Sequence, residues 1–233
     1  MIIAHHLIWT AYGWWLPNDP RGSTSHFLAS DVLASLGELH YGRRQVQPAG
    51  WKIREFYRRA PEKLKHELFK IEPQDFPIVA AGLARTIELY RYTCWACAIM
   101  PDHVHILVRK HKDTAEQMIG RLQIGSMTAM RDANRRGMDH PVWGGPGWKV
   151  FQDCPEDVRR TIAYVRNNPI KMGLSEQTWE FVKEYDGWPL HEGHSPDSPY
   201  AKRARGEPFR NNPAKPQAGE EEEGGEDRGD RRV

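Results

Sequence analysis

Cysteine is scarce in this chain: there are three among 233 residues, Cys94, Cys97 and Cys154. Three thiols cannot all pair within one chain, so a disulfide scaffold is not expected and a reducing, cytoplasmic setting is. Long apolar runs are missing as well. The longest, from Ile78 to Ala84, falls far short of the ~20 residues that span a bilayer. Met1 to His6 place no charged segment ahead of an apolar one, so neither a membrane span nor a secretory leader is expected. Nor does one sign of charge dominate. With 33 Lys and Arg against 31 Asp and Glu, the net charge is +2, and bulk electrostatics do not announce a nucleic-acid binder. Tryptophan, by contrast, is plentiful: nine residues, among them Trp9, Trp14, Trp15, Trp51, Trp95, Trp143 and Trp148 beside basic side chains. That mixture suits stacking on bases and equally suits an ordinary core.

From about residue 195 the apolar periodicity stops, and the chain closes on GEEEEGGEDRGDRRV. Such a segment cannot bury enough surface to offset its ordering entropy. Residues 195–233 are expected to be a disordered charged tail, its basic residues mostly first and its acidic ones after. Residues 1–194 are expected to form one domain. Within it, residues 23–74 fit no simple element and read as an insertion.

The rest of that domain reads as alternating strands and helices. Residues 2–10 (IIAHHLIWT) form a strand candidate. A helix is predicted after Asp75-Phe76-Pro77 and carries Val79, Leu83, Ile87 and Tyr90 on one face. Residues 93–100 and 103–109 read as a hairpin about Pro101-Asp102, with Val104, Ile106 and Val108 alternating against His103, His105 and Leu107. Thr114 and Gln117 open a long helix with a capping box, predicted to end near Arg136-Gly137. Pro155, Glu156 and Asp157 open a shorter helix, predicted to stop before Pro169. Strand, helix, hairpin and helix in this order predict an α+β, ferredoxin-like antiparallel sheet with helices packed on it.

Chemistry concentrates at two places. His103 and His105, two apart on a strand, project from one face of the sheet and could share a cation. Tyr164 and Asn168, four apart on a helix, present a phenol and an amide together. Neither pair is specific alone, since a helical Tyr is commonly a packing residue and Asn commonly ends a helix. Together the two segments, Met100-Pro101-Asp102-His103-Val104-His105-Ile106-Leu107-Val108 and Tyr164-Val165-Arg166-Asn167-Asn168-Pro169-Ile170-Lys171-Met172-Gly173-Leu174, resemble the HUH single-tyrosine transposases, and within them the REP-associated tyrosine transposases. The resemblance runs over residues 94–174. The segments His6 to Gly13 and Leu16 to Gly22 are similar to the start of one branch of these proteins.

The resemblance implies a metal-dependent single-strand DNA transesterase that cuts and rejoins hairpin-forming repeat DNA. It also implies a 5′-phosphotyrosine at Tyr164 and a divalent cation, Mg2+ or Mn2+, on His103, His105 and Asn168. Arg21, Arg109, Lys110, Lys112, Trp143, Arg166 and Lys171 are candidate contacts to single-stranded or hairpin DNA. A cytoplasmic, nucleoid-associated protein is expected, as monomer or homodimer. Asp102 departs from the Asn common in the family. Two readings stay open beside this one: a metal hydrolase in which Tyr164 is idle, and a DNA-binding protein of the same fold without turnover. Asp19 and Arg21 read slightly better as a turn lock than as a DNA contact. The lone Cys94-x-x-Cys97, with its sulfurs expected on opposite faces of a strand, reads as core packing.

Overall fold

The computed structural model describes residues 2–23, 31–42 and 44–189; the expected charged tail lies outside them. Four antiparallel strands form one sheet: β1 (Ala4–Thr10), β2 (Cys94–Ile99), β3 (His103–Arg109) and β4 (Trp148–Gln152), in the order β2-β3-β1-β4. Between β1 and β2 come α1 (Asp31–Ala34), α2 (Gly50–Arg59) and α3 (Phe76–Tyr90); α4 (Ala115–Asp132) links β3 to β4, and α5 (Pro155–Lys171) follows β4. Sheet order and crossovers make the ferredoxin-like α+β arrangement that the sequence predicts.

Strand alternation builds two cores, one on each face. Leu7, Trp9, Val104, Ile106 and Val108 face α3 and α4, packing on Val79, Leu83, Met118 and Leu122. Ala4, Ala98 and Leu107 face α5 through Val158 and Val165. Helices α3 and α4 approach very closely. A Cβ added to Gly82 would lie 2.6 Å from the Gly125 carbonyl oxygen.

The structure corrects several local expectations. Helix α4 ends at Asp132 rather than near Arg136, because Asn134 takes a left-handed conformation (φ 54°) and the Arg135 N–H turns back to the Met130 carbonyl at 2.9 Å. Helix α5 runs through Pro169 to Lys171. A proline so near the C-terminus removes one N–H but leaves the helix to close on Gly173 (φ 73°), with Leu174 N–H on Pro169 O at 2.9 Å.

Two further corrections concern β2 and the insertion. The pairing of β2 with β3 shifts register between Cys94 and Ala96, so Trp95 and Ala96 both turn toward α5 while Cys94 and Cys97 both face the α3/α4 core. The sulfurs are therefore on one face; both thiols are buried, and burial pushes both up. Within the insertion, α2 supplies Phe56, which packs with Leu16, Leu36 and Ala60 as a small third core.

Candidate active site

Helix α5 covers only part of its sheet face. The rest is the floor of a cavity of about 990 Å3, whose lining includes His6, His103, His105, Trp148, Tyr164 and Asn168. Three elements therefore converge there. Strand β3 presents His103 and His105 by alternation, and β1 presents His6, which the register places opposite Leu107 and diagonal to His105. Helix α5 places Tyr164, Asn168 and Lys171, spaced four and three, along one side.

The imidazoles form a chain. His103 Nε2 and His105 Nε2 are 3.0 Å apart, and His105 Nδ1 is 3.0 Å from His6 Nε2. At the outer end His103 Nδ1 lies 2.6 Å from Asp102 Oδ1. Burial alone would raise the Asp102 carboxyl. The hydrogen bond and charge of His103, its own backbone N–H and the Arg21 guanidinium nonetheless bring it below the usual range. An ionised Asp102 accepts the Nδ1–H of His103, so in the neutral form of that ring the lone pair is on Nε2. Burial lowers His6 to about 4, and burial with the charges of His103 and His6 lowers His105 well below the ordinary imidazole value. Both rings are thus neutral at pH 7. If His105 donates Nδ1–H to His6, its own Nε2 lone pair is freed as well.

These donors fit a divalent cation. Two nitrogens 3.0 Å apart have the separation of neighbouring ligands on an octahedral ion with bonds of about 2.0–2.1 Å. Asn168 adds a side-chain amide to the same cavity, with its nitrogen buried and without a partner among the described residues. An amide that turns over presents its oxygen there instead. Tyr164 is 45% exposed, and its ring stands edge-on to those of His105 and His6, with centroids 5.6 and 6.1 Å away.

Of the other residues singled out in the sequence, Arg21, Trp143 and Lys171 line the cavity. Lys171 Nζ is 5.7 Å from the Tyr164 ring centre. The Trp143 indole N–H donates to the Gln123 carbonyl at 3.0 Å, fixing it as a wall. Arg109, Lys110, Lys112 and Arg166 are not in that lining. Arg109 stacks on Trp188 at 4.4 Å, six residues along β3 from His103, or about 20 Å. Arg166 is two residues from Tyr164 and so points away from it on the helix.

Sequence reasoning did not single out His6 or the holding role of Asp102. A strand-borne His next to another His was the available signal, but its partner is set by cross-strand register. A separate group, Asp153, Cys154 and Asp157, has ligand atoms within 4.8 Å of one another at the start of α5; none of the three lines the cavity.

No family model matches the chain, and no curated protein matches it. Several solved structures do, among them the following two. One is a REP-associated tyrosine transposase bound to a REP hairpin, at 13% identity and a TM-score of 0.38, over 48% of this chain and 65% of the other. The chain thus spans just under two thirds of that protein's length. The second is described as a candidate transposase from Deinococcus radiodurans, at 13% identity and a TM-score of 0.32, over 75% of this chain and 93% of the other. Likenesses this slight carry no functional argument, which has to come from the side chains.

Proposed function

We propose that the protein is a divalent-cation-dependent DNA strand transferase in which Tyr164 attacks a phosphodiester of single-stranded, hairpin-flanking DNA. One observation carries the reading: an exposed phenol and a buried amide stand on one helix side, in the same cavity as two imidazoles whose Nε2 atoms face each other at 3.0 Å. A hydrolase would use the histidines and leave an exposed, cavity-lining tyrosine without work.

His103, His105 and Asn168 would hold the cation. When bound, it supplies Lewis-acid polarisation of a non-bridging phosphate oxygen. The protein's own groups do the rest. Asp102 and His6 keep the two rings in the tautomers that expose Nε2, and the single helical turn between Tyr164 and Asn168 ties the nucleophile's position to the ligand's. The Tyr164 oxygen forms a bond to phosphorus as the bond to the 3′ oxygen breaks. The phenol gives its proton to solvent and the departing oxygen takes one up. The product is a 5′-phosphotyrosine and a free 3′-hydroxyl, the polarity implied by the family resemblance. Because the intermediate is still a phosphodiester, with the tyrosine oxygen in place of the 3′ oxygen, a DNA 3′-hydroxyl can reverse the step and rejoin strands without a nucleotide cofactor.

The test is an end-labelled pool of hairpin oligonucleotides with randomised single-stranded flanks, incubated with protein and Mg2+ or Mn2+. A denaturation-resistant protein–DNA adduct is expected, and its loss in Tyr164→Phe. Cleavage without adduct would make the protein a hydrolase; retardation without cleavage would make it a binding protein.

A further inference from the structure

The cavity has a second, chemically distinct wall around Trp15 and Arg21. Trp15 sits there in the left-handed region at φ 52°, a conformation a bulky L-residue rarely adopts. Backbone strain of this kind persists only where surrounding contacts over-determine it, and here they do. The Trp15 N–H donates to Tyr57 Oη at 2.7 Å, and the Tyr57 hydroxyl donates in turn to the Asp19 carboxylate. Asp19 is fully buried at its side chain and accepts from Arg21 Nε at 2.9 Å and Nη2 at 2.7 Å. Arg21 Nη2 also donates to Tyr57 Oη at 3.1 Å. The guanidinium so fixed lies 4.6 Å from the centre of the Trp15 ring.

The cluster fixes the Trp15 backbone through its N–H and sets Arg21 against the ring, yet Trp15 is not buried: it remains 44% exposed. A tryptophan placed for packing alone would be covered, as Trp9 and Trp95 are at 1%. Arg21 is matched by a fork of two bonds to Asp19, so its charge is already answered and it serves as backing for the ring rather than as a phosphate clamp. The wall therefore offers a rigid aromatic plane, cation-backed and poor in net charge, which selects a flat, neutral, π-faced group. Within the reading of the cavity as a DNA-strand site, on which this rests, we infer that Trp15 is a stacking platform for one unpaired base of the bound strand, preset by the Asp19, Arg21 and Tyr57 cluster. A base inside a duplex is already stacked on both faces and cannot present one to such a plane, so the platform favours single-stranded DNA over the interior of a duplex stem. At about 990 Å3 the cavity stands at the upper end of the usual range for ligand clefts, large enough for a base on Trp15 while a phosphate lies at Tyr164.

Two probes separate stacking from charge: fluorescent dT12, and a sugar–phosphate chain of the same length in which every residue is abasic. The wild type is expected to bind dT12 more tightly than the abasic chain. Trp15→Ala should weaken dT12 by about five- to a hundred-fold while leaving the abasic chain unchanged, and Trp15→Phe should retain most of the dT12 affinity. Equal losses on both probes, or none, overturn the inference, as does a wild type that does not distinguish them. A measurement on unaltered protein guards against a variant that fails to fold. Irradiating it with dT12 that carries 5-iodouracil should yield a cross-linked peptide containing Trp15, and cross-links confined to other residues overturn the inference. The outcomes are separable from those for the activity. Adduct at Tyr164 with unaltered dT12 binding in Trp15→Ala removes the platform and keeps the transferase. Base-dependent binding through Trp15 with no adduct on any hairpin removes the transferase and keeps the platform.

Discussion

At the residue scale, the site rests on which nitrogen of each imidazole is free. Asp102 decides this for His103 through the 2.6 Å contact to Nδ1. Removing it should let the ring turn or take the other tautomer. Asp102→Ala is expected to weaken Mn2+ binding, followed by calorimetry, by about 10–100-fold. Asp102→Asn keeps an acceptor oxygen for the same N–H and should fall between the two, and equal affinity in all three would remove Asp102 from this role. Neutral burial of His6 and His105 also gives the metal-free protein a pH signature. Both imidazoles have folded values below the unfolded value of about 6.5. Between those values the unfolded chain binds more protons than the folded one, so stability is present above pH 6.5 and is lost as pH falls toward about 4. In chelator, the urea midpoint should drop across that window, and His6→Gln should flatten the drop.

The same scale shows what a sequence can reveal. His103, His105, Tyr164 and Asn168 are legible because strand and helix periods fix which side chains share a face. The partnership of His6 with His105 spans 99 positions and depends on the pairing of β1 with β3, which no local pattern encodes.

At the scale of elements, residues with strong local signals were readable and those set by tertiary pairing were not. Thr114 and Gln117 do make the reciprocal cap of α4, and β3 begins and ends where its alternation does. Strand β4 carries no such signal. Its five residues, Trp-Lys-Val-Phe-Gln, lie at the edge of the sheet with four of them at least partly exposed, so no inside–outside contrast marks them. Regular alternation predicts the sulfurs of Cys94 and Cys97 on opposite faces; the bulge adds one residue to the period and brings both to one face, and a bulge has no signature in Cys-Trp-Ala-Cys. The contact between α3 and α4 supplies a sharper test. A Cβ on Gly125 would fall 1.9 Å from Thr86 Oγ1, and one on Gly82 would fall 2.6 Å from the Gly125 carbonyl oxygen. The helices must separate or the Thr86 side chain must turn, and overpacking of this kind costs typically about 1–3 kcal/mol. Gly82→Ala meets backbone and should therefore cost more than Gly125→Ala, which meets a side chain that can rotate. Thermal unfolding of the two variants checks the order.

At the scale of the whole molecule, near-zero net charge hides an uneven layout. The cavity holds two of the basic residues singled out in the sequence, Arg21 and Lys171, and Arg21 is already answered by Asp19. A single strand confined to this cleft would therefore neutralise one or two phosphates. With a slope of about −0.7 per phosphate for single strands, its affinity should fall less than about tenfold between 50 and 200 mM salt. The run Arg109-Lys110-His111-Lys112 lies at the far end of β3, about 20 Å from His103; at 3.4 Å per nucleotide, that is about six base pairs of a stem. On the proposed reading, DNA with a hairpin next to the cleaved strand would reach this second basic group, and each phosphate it met there would add about −0.9 to the slope. A hairpin substrate should thus be steeper in salt than dT12, by an amount that Lys110→Gln and Lys112→Gln together reduce without altering the dT12 slope. Anisotropy titrations of both probes at four salt concentrations would decide the matter. Equal slopes for the two DNAs would mean that the stem is held elsewhere on the molecule, or not held at all.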